Sequence, residues 1–372
     1  MNIVVASHIS DLSGPTEALI EYLKKKRRGF VAILNPLEYC EEKKRTVLYV
    51  TKGKIIRRIA PPNLKEPAIF SWMFDFILVL WFSLSTKGTI DVFIGCDPLN
   101  ASAGALLKKL GKVKKLIFYS IDWSEKRFAN TIINSIYYFL DAMCTREFSV
   151  NWCVTENLIK LREKQGIDKK RLLLVPVGVT TKGIPNPLKV PYDKYALVFL
   201  GALEKTKGIE LVIESWPEIK KKIPQARLIV IGKTPKGIVD TSYEEILREL
   251  EDVKVVGVLE HSDVLKRLPY YGVGLAPYSY DKDSVTRYAD PSRIKDYLAC
   301  GLPVITTKIP DVHREISDNK AGIIVDYNPK SFIEGIEDIT STGYSKFRLL
   351  AAKLGKKYVW KTIFDKAFKD SI

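Results

Sequence analysis

Histidine is scarce in this chain. His8, His261 and His313 are the three present in 372 residues, and no two share a short motif. A structural metal centre needs clustered ligands, so the sequence offers none. The five cysteines (Cys40, Cys96, Cys144, Cys153 and Cys300) are odd in number and never spaced as Cys-x-x-Cys. They read as reduced, mostly buried thiols of a cytoplasmic protein rather than a disulfide framework. Met1–Ser7 runs straight into a strand-like apolar stretch with no basic segment before it and no small-residue cleavage site, so it does not read as a secretory leader. Repeats and low-complexity tracts are also missing. Acid is in short supply: 59 Lys and Arg face 43 Asp and Glu, a net charge of +16. The excess is concentrated early, with 28 basic and 17 acidic residues in the first 180. Such a field favours anionic partners, namely nucleic acid, anionic headgroups or phosphorylated substrates.

What remains is ordinary globular material. Hydrophobic residues are 46% and charged residues 27%, which excludes a disordered, collagen-like or polytopic chain. The length implies two or three domains. One long apolar run exists, Pro67 to Thr86, with Asp75 as its single charge. It is about long enough to cross a bilayer, but a central Asp is costly to insert. The readings left are a helix buried on most sides, or an interfacial helix whose Trp72, Trp81 and phenylalanines between Phe70 and Phe82 suit the headgroup boundary. Basic runs at Lys24–Arg28, Lys43–Arg45 and Lys52–Arg58 place 12 basic against three acidic residues between positions 24 and 58. They are solvated faces or a surface for anionic lipid. No RNP, helix-turn-helix or zinc-finger pattern accompanies them, so a nucleic-acid partner is not expected.

Short β-branched runs alternate with helical patterns almost throughout. Strands fit 2–7, 29–34, 46–50, 92–95, 115–120, 152–154 and 172–176, then 196–200, 227–232, 253–258, 273–276, 303–307 and 322–326. Helices fit 15–26, 100–110 and 130–144, then 208–222, 242–250, 262–270, 291–300, 310–317 and 329–339, with a helical end from Tyr344. This alternation is that of parallel, doubly wound sheets. Pro185, Pro187 and Pro191 punctuate the middle, giving an N-terminal domain over 1–180, a linker over 181–195, and a second domain over 196–354. Two such Rossmann-like domains are expected to face a central cleft at the carboxyl ends of their strands.

The most informative stretch is Asp290-Pro-Ser-Arg-Ile-Lys-Asp-Tyr-Leu-Ala-Cys-Gly-Leu-Pro-Val-Ile305. Pro291 opens a helix, so the amides of Ser292 and Arg293 make an anion seat suited to a diphosphate. Asp296, one turn on, is placed to accept two hydrogen bonds from a ribose diol. An ordinary capped helix with a solvated Asp296 is the plainer reading of the same residues.

SRIKDYLACGLPVITT (Ser292–Thr307) resembles the nucleotide-sugar signature of GT-B glycosyltransferases, family 4 in particular, in which a KxxEYLAxGxPVI helix precedes a strand. LVFLGALEKTKGIELVI (Leu197–Ile213), RLIVIGK (Arg227–Lys233), VKVVGVLEHSDVLKRL (Val253–Leu268) and VGLAPY (Val273–Tyr278) follow in that family's order. The resemblance covers residues 195–340. It implies a GT-B fold, with the C-terminal helix 355–372, holding Trp360, returning to the N-terminal domain. It also implies that Asp296 takes the place of the ribose-binding Glu and that Lys207 contacts the donor diphosphate. Ser292 and Arg293 would hold the distal phosphate through their amides, and Gly257 to His261 would wall the nucleobase pocket. Two positions depart from the pattern: Tyr288 stands where the first Glu of E-x7-E falls, and Ala202 where an arginine often precedes the lysine. Lys205 is the nearest substitute charge.

The first half resembles the family's acceptor domain less fully. His8-Ile-Ser-Asp-Leu-Ser-Gly-Pro-Thr-Glu17 follows the first strand as the family's glycine loop does, and Gly14 permits a close backbone approach. Tyr119–Asn130 is similar to a YSIDxxxxRFxN motif of glycosyltransferase-like proteins, which assigns Asp122 to the acceptor side or the chemistry, together with Lys207. Asp97 in Gly95-Cys-Asp-Pro98 ends another strand of the same domain, and His8 joins it on the acceptor side. The activity this resemblance implies is that of a glycosyltransferase moving a sugar from a nucleoside-diphosphate sugar to a lipid-linked or cell-envelope glycan acceptor. It further implies retention of configuration, no metal or other cofactor, and a peripheral position on the inner membrane face. A nucleotide-sugar epimerase of the same fold, or a basic binding protein on a GT-B scaffold, are the rivals.

Overall fold

The structure, a computed structural model, describes all residues except 11–13, 39, 41, 65–67, 236–241, 281–286 and 342. Two compact units divide the chain: residues 1–176 with 363–372, and residues 177–362. Residues 181–195 therefore lie inside the second unit.

Unit 1 runs β1 (Ile3–Ile9), α1 (Pro15–Lys25), β2 (Phe30–Pro36), β3 (Thr46–Thr51), β4 (Lys54–Ile59), α2 (Ala68–Leu84), β5 (Ile90–Gly95), α3 (Pro98–Lys109), β6 (Val113–Ser120), α4 (Thr131–Glu147), β7 (Val150–Cys153), α5 (Glu156–Lys164) and β8 (Leu172–Leu174). The sheet order is β4-β3-β2-β1-β5-β6-β7-β8. Six strands form the expected parallel sheet, and β3 and β4 add an antiparallel hairpin at one edge. Lys52 and Gly53 turn that hairpin with φ of +51° and +79°, the backbone twist a two-residue hairpin prefers. The basic run 52–58 is thus largely an edge strand, where lysine and arginine discourage pairing with another chain. Its pattern Lys-Ile-Ile-Arg-Arg-Ile lacks alternation because every residue but the last is exposed. One face of the sheet carries Val4, Ala6, Ile33, Phe93, Leu116 and Phe118, packed against Val79 of α2, Leu107 of α3 and Cys144 of α4.

Unit 2 runs β9 (Ala196–Leu200), α6 (Ile209–Lys222), β10 (Arg227–Ile231), α7 (Tyr243–Glu249), β11 (Val253–Gly257), α8 (His261–Arg267), β12 (Val273–Ala276), α9 (Ser292–Ala299), β13 (Val304–Thr306), α10 (His313–Asp318), β14 (Gly322–Ile324), α11 (Pro329–Thr340) and α12 (Tyr344–Gly355). The helix α13 (Trp360–Ser371) follows and belongs to unit 1 from Ile363 onward. The unit 2 sheet is wholly parallel in the order β11-β10-β9-β12-β13-β14. Alternate residues leave opposite faces: Leu197, Phe199, Leu228 and Val230 enter one core, Val198, Ile229 and Ile231 the other. Both faces are covered, as continuous apolar strands require. Arg348 of α12 is buried and donates to the carbonyls of Pro187, Pro269 and Tyr271, so the proline-rich stretch is pinned to this unit.

In each sheet the strand order reverses once, between β1 and β5 in unit 1 and between β9 and β12 in unit 2. Loops diverge at such a point and leave a crevice beyond the carboxyl ends of the strands, where α/β proteins bind ligands.

Candidate active site

In unit 2 the loops after β9 and β12 meet at Gly208. Its φ of +83° suits glycine, and a Cβ there would lie 1.8 Å from the Pro277 carbonyl oxygen. This contact fixes the short 3-10 turn Lys205–Lys207 beside Tyr278. Lys207 Nζ is 3.7 Å from Glu204 Oε1 and 5.6 Å from the centre of the Tyr278 ring. Burial, then the Arg293 guanidinium, push its pKa down, so its charge is under-compensated and an arriving anion is favoured. Lys205 is largely exposed, with Nζ 3.8 Å from Glu210 Oε2. Arg293 is buried and its guanidinium is committed within the protein. It donates to Tyr278 Oη (2.8 Å), Leu200 O (3.1 Å) and Lys207 O (2.8 Å), and it stacks on the rings of Phe199 and Tyr278. What Arg293 can offer a ligand is therefore its amide.

Ser292 and Arg293 open α9, and no side chain caps that turn. Asp296 follows on the same helix, 3% exposed, with Oδ2 3.0 Å from His261 Nε2. The imidazole itself is more than half exposed at the start of α8. Burial raises the Asp296 pKa, and the hydrogen bond to Asp296 raises that of His261. A buried acceptor is thus paired with a donor that faces solvent. Tyr288 is half-buried just before α9, its ring 5.6 Å from the Arg287 guanidinium.

Sequence reasoning singled out Gly257 but missed two companions. Gly201, Gly232 and Gly257 end or follow β9, β10 and β11 with φ of +116°, +154° and +83°. Gly201 donates to Ile231 O, and Gly232 donates to Gly257 O. A Cβ on Gly232 would strike Gly201 O at 1.8 Å, whereas at Gly201 and Gly257 it would meet nothing within 4 Å. The three form a ledge of bare backbone. A glycine at or just after the end of each strand is the signal in the sequence.

Unit 1 gathers His8, at the end of β1, with Asp97, which caps α3. His8 Nδ1 is 3.1 Å from Asp97 Oδ1 and 3.0 Å from Asn100 Nδ2, and the His8 amide donates to Asp97 Oδ2 at 2.8 Å. On the other side of the ring Nε2 is 3.4 Å from Asp75 Oδ2. Burial opposes charge on His8, but Asp97 and Asp75 together raise its pKa to about 10. Asp97, despite burial, is lowered by the His8 charge to about 2. An imidazolium held so firmly is a fixed positive donor and no base near neutrality. Arg45 completes the cluster: it is 1% exposed and donates from Nε to Asp75 Oδ1 at 2.6 Å and from Nη2 to Ser71 Oγ at 2.6 Å. The sequence reading put Arg45 in a surface run and Asp75 in a helix that was either buried or interfacial. The structure buries both, because each supplies the countercharge the other needs.

Gly14 caps α1 with extended φ of −134°, and its amide donates to Glu17 Oε2 at 3.0 Å. A Cβ there would only touch Glu17, so the protein itself does not require glycine. The neighbouring residues 11–13 of that loop, like Pro67, lie outside the described residues. Asp122 Oδ2 accepts from Arg127 Nη1 at 2.8 Å, while Asn130 caps α4 through Ile132 and Ile133. Much of the YSID-RF-N pattern therefore shapes this loop. Among the described residues no His, Cys, Asp and Glu side chains are gathered as a metal ion would need, and no helix is long and apolar enough to cross a membrane.

Two doubly wound sheets, each with polar groups at its reversal point, are the GT-B glycosyltransferase architecture. Residues 194–342, all within unit 2, match the model of the family Glycosyl transferases group 1. HepE of Anabaena, solved with UDP and with UDP-glucose, superposes with a TM-score of 0.71 at 12% and 14% identity, covering 99% of this chain and 99% and 98% of that one. In sequence, one subunit of the human phosphatidylinositol N-acetylglucosaminyltransferase is 28% identical over 41% of this chain and 30% of its own length. The D-inositol 3-phosphate glycosyltransferase of Paenarthrobacter aurescens is 25% identical over 47% of this chain and 44% of its own. The matched stretch thus spans less than half of either relative.

Proposed function

We propose that the protein is a glycosyltransferase that takes its sugar from a nucleoside diphosphate donor bound by unit 2. Asp296 accepts from the ribose diol, with His261 as the donor beside it. The amides of Ser292 and Arg293 hold the distal phosphate, and Lys207, aided by Lys205, neutralises charge as the nucleoside diphosphate departs. Such preorganised donors stabilise the charge that develops in the transition state and so do the work that a bound metal or other cofactor would otherwise do; retention of configuration is what the resemblance to family 4 implies. The ledge of Gly201, Gly232 and Gly257 admits the nucleobase. His8, Asp97 and Asp122 of unit 1 serve the acceptor, Asp122 also taking part in the chemistry, and Gly14 permits a close backbone approach by a substrate.

The acceptor is a lipid-linked or cell-envelope glycan, reached from a peripheral position on the inner, cytoplasmic face of the membrane. The names of the phosphatidylinositol and inositol phosphate relatives support an acceptor with a phosphorylated, lipid-type headgroup, and the UDP complexes of HepE support the donor class.

One observation carries this reading: the buried Asp296 paired with exposed His261 on a helix whose first turn has no side-chain cap, beside an under-compensated Lys207. A thermal-shift screen of UDP, GDP, ADP and their sugars tests it. A ligand at about 100 times its dissociation constant adds nearly 3 kcal/mol of stability, and failure of every nucleotide to shift the transition would remove the donor site. Binding without turnover on any acceptor would favour a non-catalytic protein, a rival that Ala202 and Tyr288 keep in view.

A further inference from the structure

The outer surface of unit 1 carries an apolar face that the proposed chemistry does not use. On α2, Phe70, Met73, Ile77 and Trp81 recur at helical spacing, and each is more than half exposed. The opposite side of this helix buries Ser71, Asp75, Leu78 and Val79, so the stripe is the side turned away from the core. On α4, Ile132, Ile136 and Phe139 repeat the pattern at 73%, 52% and 67% exposure. Between them, packed against both, lies α3, which exposes Leu106 and, at its end, Leu110. Rings tie the outer helices together: Trp72 lies 5.5 Å from Phe128, and Phe128 lies 5.7 Å from Tyr137 of α4. The three stripes therefore form one surface.

Charge identifies the occupant. Within α2 and α3 the single acid is Asp75, which is buried, and on α4 Asp141 is buried as well, leaving Glu147 at its last residue. The rim is basic. Lys112 Nζ donates to Thr86 O and so joins the ends of α2 and α3, near which Lys87, Lys108 and Lys109 are all exposed; before α4 an exposed Lys126 stands beside an exposed Glu125. An aromatic and aliphatic face whose exposed charges are mainly lysines, with Glu125 and Glu147 at its edges, matches the headgroup–hydrocarbon boundary of an anionic bilayer. A second copy of the chain would instead set one uncompensated positive rim against another.

We propose that the outer face of α2, α3 and α4 is a platform that lies flat on an anionic membrane with its side chains inserted to headgroup depth. This rests on the reading of unit 1 as the acceptor side and adds where the membrane sits. Asp75 touches His8, α3 starts at Asp97, and α4 follows the loop of Asp122. The first turns of α3 and α4 thus border the carboxyl edge of the sheet, and a lipid-linked acceptor in the same leaflet would present its headgroup there. The contribution of α4 is the new element, since its exposed stripe has no counterpart in the aromatic run of the sequence.

The test is co-sedimentation of the full chain with phosphatidylcholine vesicles, with and without phosphatidylglycerol. Binding should require phosphatidylglycerol and weaken with added salt. Trp81→Ser, and separately Ile136→Ser with Phe139→Ser, should each lower the partition coefficient by about tenfold or more, given the apolar area withdrawn. Brominated acyl chains should quench tryptophan emission in the wild type and much less in Trp81→Phe. Circular dichroism and the UDP thermal shift on each variant establish that fold and donor site survive. The proposal is overturned if wild-type protein ignores anionic vesicles at low salt, if the α4 variant binds them as the wild type does, or if that variant's main effect is to dissolve a dimer. Failure of UDP, GDP and ADP alike to stabilise the wild-type protein would instead strike the donor reading, and the vesicle results would still decide the platform.

Discussion

Asp296 is the residue whose removal discriminates best, because its neighbours make its role hard to replace. It is buried and bonded to His261, so Asp296→Asn keeps the volume while taking away the charge and one acceptor. Losing a hydrogen bond to a charged acceptor costs about 1.5–3 kcal/mol, hence a ten- to hundredfold rise in the UDP dissociation constant by calorimetry. A 2′-deoxy ligand should lose affinity for the wild type and lose little more for the variant. Equal losses for both ligands would deny contact with the diol. His8 invites a different measurement. Its pKa stands at about 10 in the folded unit against 6.5 ordinarily, so its protonation stabilises the fold fully below about 6.5, and the benefit is lost as pH rises through about 10. Asp97, lowered from 3.8 to about 2, contributes above about 3.8 and loses that contribution as pH falls through about 2. Breaking a buried pair costs about 3–5 kcal/mol. His8→Ala should therefore destabilise unit 1 most at pH 4–6.5, with the deficit shrinking toward pH 10 in urea titrations. A deficit independent of pH would mean that packing, not charge, is what His8 supplies.

At the scale of elements, two glycines that look alike in the sequence separate. Gly208 has φ of +83° and no room for a Cβ beside Pro277, whereas Gly14 has an extended backbone and space beside Glu17. Gly208→Ala is thus strained twice, by conformation at about 1–3 kcal/mol and by collision, and should destabilise unit 2 while displacing Lys207. Gly14→Ala should leave stability unchanged. If its turnover nonetheless falls, the glycine serves a ligand that approaches the loop; unchanged turnover would make this an ordinary βα turn. The sequence supported the unit 2 strands almost to the residue, because a strand covered on both faces is a continuous apolar run ended by glycine or a polar residue. It misled at β4, whose exposed residues alternate with nothing, and it passed over α5, where Thr155 accepts from the Leu158 amide as a helix cap. It singled out His8 and Asp97 as site residues but not Arg45 or Asp75. Charge pairing between residues 30 apart leaves no periodic trace, so a buried arginine reads like its solvated neighbours.

At the scale of the whole molecule, the far end of the chain completes the first unit's core. Ile363 and Phe364 of α13 are buried, the Phe364 ring lies 5.3 Å from that of Tyr22, and Trp152 Nε1 donates to Ser371 Oγ at 2.8 Å. Tyr22 Oη donates to Asp365 Oδ1, also at 2.8 Å. Trp152 itself is fully buried on β7, so without α13 it would face water together with Tyr119. Phe364→Ala alone should cost about 3–5 kcal/mol by opening a cavity among these rings. Ending the chain at Thr362 should do more: tryptophan emission should shift to the red, and the unfolding transition of unit 1 should fall or vanish. Unit 2 lies wholly within 177–362, so the shortened chain should still gain stability from UDP. Retention of both transitions would show that α13 merely rests on unit 1. Loss of the UDP response along with unit 1 would show that the two units fold as one.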